Sequence, residues 1–226
     1  MVNLLLSLNN FDADWCYYIL KYIIKKDHNV VIIPFSYDDN WLKDKYDWDR
    51  AFNKIYGTHY KDIVSPFLSY AIEESNIRWL NQFEDSIEEM KNKIKTSDIV
   101  YFTGGYPDKM YDKLKKYDLI DILENFNKIM IGASAGAMIQ IDEYHVSKDA
   151  DYDRYQYFKG LNIIKDFDLE VHFENTEIQN TSLLRAIREK RKPIYSITNN
   201  GGVLVINGRA FILGNANKWE VPEHYY

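Results

Sequence analysis

The chain has 226 residues, 46% hydrophobic and 27% charged, an ordinary globular composition that excludes collagen-like, coiled-coil and wholly disordered readings. Its 28 basic residues against 34 acidic ones leave a net charge of −6, which repels phosphate backbones and anionic membranes, so neither nucleic acid nor a membrane is an expected partner. A single cysteine, Cys16, excludes an internal disulfide and a Cys-rich zinc site, and the length fits one domain over residues 1–226.

Met1 to Leu8 is apolar, but it lacks a basic flank and runs into Asn9, Asn10 and Asp12, so it reads as a buried strand rather than a signal peptide. No stretch reaches the ~18 consecutive apolar residues of a membrane-spanning helix, and a cytoplasmic protein is expected. Asp12 or Asp14 is placed to cap a helix through Leu20 and Ile24, and Val30 to Phe35 is a second buried strand. Residues 36–60 are crowded with aromatic and charged side chains, with a helix expected at Trp48–Tyr56 and a stop at Gly57; they read as an insertion or lid over the sheet, or as packing. Pro66 to Ile72 reads as a helix, Asn76 to Leu80 as a strand and Glu84 to Lys95 as an amphipathic helix. Asp98 to Thr103 is a strand ended by Gly104-Gly105, and one helix is expected from about Pro107 to Phe126. Lys128 to Ile131 is a further strand, followed by Gly132-Ala-Ser-Ala-Gly136 and a small-residue helix start.

Asp142 to Lys159 is polar and reads as a loop, Leu169 to Phe173 as a strand and Thr181 to Lys190 as a helix. Pro193 to Thr198 and Gly202 to Ile206 read as two strands, and Asn207-Gly208 is a hairpin turn into Arg209 to Leu213. Alternating strands and helices imply a doubly wound, mostly parallel sheet flanked by helices, closed by a C-terminal β-hairpin, with its crevice at the carboxyl ends of the strands.

Gly132-Ala133-Ser134-Ala135-Gly136 matches G-x-S-x-G, in which a sharp strand-to-helix turn lifts a serine out of the sheet. The elbow requires a positive φ at Ser134. A serine at a helix N-terminus has backbone N–H groups beside it for the charge of a tetrahedral intermediate. The Ala135 N–H is one donor, and Gly104-Gly105 is the candidate for the second. The base is sought among five histidines, His28, His59, His145, His172 and His224. His172 follows the elbow at a strand end and is preferred, with His145 second. The orienting acid is open between Asp149, which lies between serine and histidine in the chain, and Glu174, which forms a His-x-Glu pair, with Glu143 a third option.

Asp149-x-Asp151-x-Asp153 does not make a calcium loop, since Arg154 stands at the turn glycine and Gly160 at the bidentate glutamate. No metal, nucleotide or dinucleotide motif is present, so no cofactor is expected.

On Tyr101-Phe-Thr-Gly-Gly-Tyr-Pro107, Ile131-Gly-Ala-Ser-Ala-Gly-Ala-Met138, Val171-His172-Phe173 and the closing hairpin, the sequence resembles peptidase family S51, the peptidase E and cyanophycinase group, within the class I glutamine amidotransferase-like fold. The resemblance implies Ser134 as nucleophile, His172 as base, an acid at about Asp149, and oxyanion donors at Gly105 and Ala135. It departs at Tyr106, where the family usually has Asn, and no basic residue that would select an acidic substrate is identifiable. His172-Phe-Glu174 is also similar to the His-x-Glu of the amidotransferase relatives, which use a cysteine. The expected activity is therefore a dipeptidase-like serine hydrolase acting on a small peptide or amide, with a homodimer left open. The alternative is a catalytically silent protein that binds a small ligand or partner in the same crevice.

Overall fold

A computed structural model of the protein describes residues 1–221. β1 (Val2–Leu6) leads through α1 (Asp14–Leu20) to β2 (Val30–Ile33), then α2 (Lys45–Phe52), α3 (Tyr60–Ser69) and the short β3 (Ile77–Trp79). α4 (Ile87–Lys95) starts from a capping box: Ser86 Oγ accepts the Glu89 N–H while Glu89 accepts the Ser86 N–H. β4 (Ile99–Phe102), α5 (Pro107–Lys116), α6 (Ile120–Glu124), β5 (Ile129–Ala133) and α7 (Ala135–Met138) follow. The chain then forms β6 (Glu143–Val146), β7 (Gln156–Lys159), β8 (Asp168–Glu170), α8 (Glu177–Lys190), β9 (Ile194–Ile206) and β10 (Arg209–Trp219).

The main sheet has the order β10-β9-β1-β5-β4-β2-β3, with β8 pairing β9 off this path. Pairing is parallel from β1 through β5, β4 and β2 to β3, and antiparallel for β1 with β9 and β9 with β10. This is the mixed, mostly parallel sheet with a C-terminal hairpin that the alternation implies. The strands are apolar at nearly every position because both faces are covered. Leu4, Val30, Ile32, Tyr101 and Ile131 meet α1, α2 and α3 on one face; Val31, Ile33, Val100 and Met130 meet α4, α5 and α6 on the other. A third cluster around Leu5, Tyr144, Leu169 and Val203 joins the β6–β7 hairpin to the far half of the sheet.

Several boundaries differ from the sequence reading. Ala13, not Asp12 or Asp14, occupies the α1 N-cap, and no side chain caps it. The helix through Pro66 starts earlier, at Tyr60, so Pro66 lies inside it. The single helix expected over 107–126 is two, separated where Asp118 takes φ 54°. Asp142 to Lys159 is not all loop: Glu143 to Val146 and Gln156 to Lys159 pair antiparallel. Tyr144, His145 and Val146 of β6 are all buried, so a polar residue in the middle of the strand leaves no apolar alternation to read. The two strands expected around residue 200 are one, β9, because β10 runs beside its whole length while β8 and β1 share its other edge. The aromatic segment 36–60 packs Tyr37, Trp48 and Phe52 with Trp79 and His59 and is part of the core, not a cover on the pocket described below. Among the described residues, no helix is long and apolar enough to cross a membrane.

Candidate active site

The parallel strands β1, β5, β4 and β2 all end on one side of the molecule, and residues beyond the ends of β4 and β5 join β6, the β6–β7 loop, β8 and the segment after it to line a pocket of about 550 Å³. Ser134 stands there between β5 and α7 with φ 52° and ψ −115°, a backbone conformation unfavourable for an L-residue. The positive φ that the elbow requires is therefore present.

Its two glycines make that turn possible. A Cβ on Gly136 would fall 2.1 Å from the Phe102 carbonyl oxygen of β4, and one on Gly132 would fall 1.9 Å from the Gly136 oxygen. Strand, turn and helix are thus in backbone contact, and the Ser134 N–H is fixed on the Leu6 carbonyl at 2.8 Å. Ser134 itself is half-buried, lines the pocket, and its Oγ forms no hydrogen bond among the described residues.

Gly105 lines the pocket from the end of β4. Its φ of +137° is open only to glycine, and a Cβ would lie 2.6 Å from the Ser36 oxygen. Ser36 holds the loop from the β2 end: its Oγ bonds Thr103 Oγ1 at 2.8 Å and its carbonyl accepts the Tyr106 N–H at 2.7 Å. The N–H groups of Gly105 and Ala135 find no partner among the described residues.

His172 lies two residues past β8, not within a strand, and has φ 50°. Its backbone is anchored on both sides. The His172 N–H donates to Ser7 Oγ at 2.9 Å, Ser7 donates to the Ile197 carbonyl at 2.7 Å, and Gln179 Nε2 donates to the His172 carbonyl at 3.0 Å. The ring lines the same pocket as Ser134, with Nδ1 2.8 Å from Asn199 Oδ1. Asn199 is held in turn through its carbonyl, which accepts from Asn10 Nδ2 at 2.9 Å.

The group at His172 Nδ1 is thus neither of the acids singled out in the sequence. Asp149 lies on the pocket wall in the β6–β7 loop, where its Oδ1 accepts the N–H groups of Asp151 and Tyr152, both at 2.8 Å. Glu174 is exposed on the rim, and its N–H donates to Gln179 Oε1. Glu143 faces away and pairs with Lys190. Asn199 is an amide, whereas the sequence reading expects a carboxylate in this place. The polar interruption Thr198-Asn-Asn-Gly201 between two apolar stretches of β9 is the signal that could have found it.

The other histidines separate clearly. His28 bonds the Lys25 N–H, His59 stacks in the aromatic cluster, and His224 lies outside the described residues. His145 is fully buried between two carboxylates, with Nδ1 2.6 Å from Asp168 Oδ2 and Nε2 2.8 Å from Glu170 Oε2. Burial alone pulls this imidazole down, but the charge and hydrogen bond of Asp168, then those of Glu170, outweigh it and push it up to about 10. Both nitrogens are occupied, so His145 has no lone pair for a serine proton. Cys16 is on the buried face of α1, and burial followed by the charge of Asp12 raises its thiol to about 12, so it is no substitute nucleophile.

The rim opposite His172 is tied by tyrosines. Tyr106 Oη donates to Asp151 at 3.0 Å and Tyr152 Oη to Asp108 at 2.6 Å, and the two rings meet edge to face. The tyrosine at position 106 thus braces the loop that carries Asp149.

The model of peptidase family S51 matches residues 58–213. Among solved structures, a protein from Listeria monocytogenes EGD-e assigned as a peptidase E superposes with a TM-score of 0.65 at 20% identity, covering 95% of this chain and 98% of its own. A peptidase from an acI-B1 actinobacterium superposes with a TM-score of 0.65 at 16% identity, covering 98% and 91%. No curated protein matches the sequence. The matched segment takes in β4, the elbow, His172 and most of the closing hairpin, and the chain belongs to peptidase family S51.

Proposed function

We propose that this peptidase is a serine hydrolase that cleaves a small peptide or amide bond through an acyl-enzyme on Ser134. In this reading His172 Nε2 takes the hydroxyl proton as Oγ attacks the carbonyl carbon, and the N–H groups of Gly105 and Ala135 receive the oxygen's growing charge. The tetrahedral intermediate collapses when the imidazolium returns that proton to the leaving amine. Water then attacks the acyl carbon as the same imidazole removes its proton, and the imidazolium returns that proton to Oγ as the ester bond breaks and the acid leaves.

Asn199 takes the orienting place. Its Oδ1 accepts from Nδ1–H, which selects the tautomer whose Nε2 carries the lone pair. A neutral amide holds the ring without adding a charge, an arrangement also used in Cys-His-Asn sites. Asp149 is engaged in its own turn and Glu174 makes no contact with the ring, so neither is given this role.

The observation that carries the proposal is the half-buried Ser134, held at positive φ in one pocket with His172 and Gly105, its hydroxyl and the N–H groups of Gly105 and Ala135 having no partner among the described residues. The test is labelling by an uncharged fluorophosphonate. Stoichiometric modification at Ser134, located by mass spectrometry and absent in Ser134→Ala, is expected. Native protein that stays unlabelled at high probe excess overturns the proposal.

A further inference from the structure

The pocket is unbalanced in charge. Asp149, Asp151, Glu170 and Glu174 line it, against Lys148 as the one lysine or arginine in the wall. Asp149, Asp151 and Glu174 are exposed and solvated, and a ring of such groups means little by itself. Glu170 is different: it is 6% exposed and belongs to a buried cluster with His145, Asp168 and Ser147.

Within that cluster the hydrogen bonds fix the protonation pattern. His145 Nδ1 and Nε2 each face a carboxylate oxygen, which only accepts, so the ring donates from both and is an imidazolium. Asp168 is fully used, its Oδ2 by His145 and its Oδ1 by the Leu169 N–H at 2.7 Å. Glu170 Oε2 accepts from His145 and from Ser147 Oγ, both at 2.8 Å. Glu170 Oε1 has no partner among the described residues. One imidazolium against two carboxylates leaves a surplus negative charge, ending on a free oxygen of a pocket-lining residue. A buried charge without a counter-charge is costly, so the site as it stands favours whatever cation enters it. Of the basic side chains around this cluster, Arg185 pairs with Glu189 and lies over Tyr155 and Lys190 pairs with Glu143, while Lys148 is exposed in the pocket wall and makes no ion pair with Glu170.

We infer that the pocket selects a substrate bearing a positive charge beside the scissile amide, received by Glu170 Oε1, rather than an acidic aspartyl group. This deepens the serine-hydrolase reading and rests on it. A free α-ammonium and the side chain of a lysyl or arginyl residue supply the same chemistry. Asp168 and His145 are positioning residues that hold Glu170 from behind, and the Ser147 hydroxyl fixes the direction of its second oxygen.

The test measures binding, so that slow turnover does not obscure it. Ser134→Ala protein is titrated calorimetrically with lysyl-alanine, alanyl-alanine, N-acetyl-lysyl-alanine, N-acetyl-alanyl-alanine and N-acetyl-aspartyl-alanine. At least one of the first three is expected to bind about tenfold or more tightly than N-acetyl-alanyl-alanine, because a charged hydrogen bond to a buried carboxylate is involved. Loss of binding on acetylation of both peptides assigns the α-ammonium, and retention by N-acetyl-lysyl-alanine assigns the side chain. Glu170→Gln, which keeps the shape and an acceptor for His145, is expected to erase the preference, whereas Glu174→Gln on the rim leaves it intact. If N-acetyl-alanyl- or N-acetyl-aspartyl-alanine binds as tightly as any cationic peptide, the inference is overturned. It is also overturned if a Glu170→Gln protein with native circular dichroism keeps the preference. Fluorophosphonate labelling of the native protein, which needs no cation, reports separately on the serine-hydrolase reading.

Discussion

His172 is held by its N–H on Ser7, its carbonyl on Gln179 and its ring on Asn199, so three side chains from distant parts of the chain set one imidazole. The ring contact can be removed without disturbing the backbone, because Asn199 is exposed and its own carbonyl contact is independent of its side chain. Asn199→Ala is expected to lower kcat by about 3–10-fold, the weight of one ordinary hydrogen bond, while KM stays near native. Asn199→Asp, which restores an acceptor at Nδ1, is expected to recover that loss. Steady-state kinetics on the best peptide from the binding series reads both, and an Asn199→Ala enzyme with native kcat removes the residue from the machinery. Positive φ at both Ser134 and His172 places unfavourable backbone on each side of the proposed proton transfer, as at sites where geometry outranks local stability.

At the scale of elements, the elbow works because β4, β5 and α7 approach each other backbone to backbone. Gly136 is where the approach is closest to β4: an added methyl would sit 2.1 Å from a carbonyl oxygen that belongs to a central strand and cannot move alone. Gly136→Ala is therefore expected to destabilise the protein by about 3 kcal/mol, at the upper end of overpacking effects, and to displace Ser134. Gly208→Ala in the hairpin turn is the natural comparison. Unlike the helical Gly136 it has a positive φ, +79°, but no atom lies within 4 Å of the added carbon, so only about 1–2 kcal/mol of left-handed strain is expected. Urea midpoints of the two variants check the ordering; equal losses contradict the close-approach argument. The β6–β7 hairpin contributes His145 and Ser147 to the buried cluster and Asp149 and Asp151 to the rim.

For the molecule as a whole, the buried ion cluster couples folding to pH. The His145 imidazole is raised from 6.5 to about 10 in the fold, so the folded state binds its proton more tightly than the unfolded chain does. Stabilisation from this group is complete below about pH 6.5 and is lost progressively as the pH rises through about 10. Urea midpoints are thus expected to fall from pH 7 to pH 9.5. In His145→Phe, a ring that stays apolar, the protein should be less stable at pH 7 and its midpoint nearly flat over that range. A native protein whose stability rises over the same range contradicts the imidazolium assignment.

The sequence by itself determined the parallel core, the positive-φ turn at Ser134 and the closing hairpin. Continuous apolar runs such as Val30 to Ile33 fit only strands buried on both faces, and the spacing of Gly132, Ser134 and Gly136 is a local requirement of one turn. These are properties of neighbours in the chain, which a linear pattern records. The contact of Asn199 with His172, the burial of His145 and the surplus charge at Glu170 were decided only by tertiary structure. Each depends on groups 23 to 27 residues apart meeting across β6, β8 and β9, and no periodicity encodes which polar side chain will find another there.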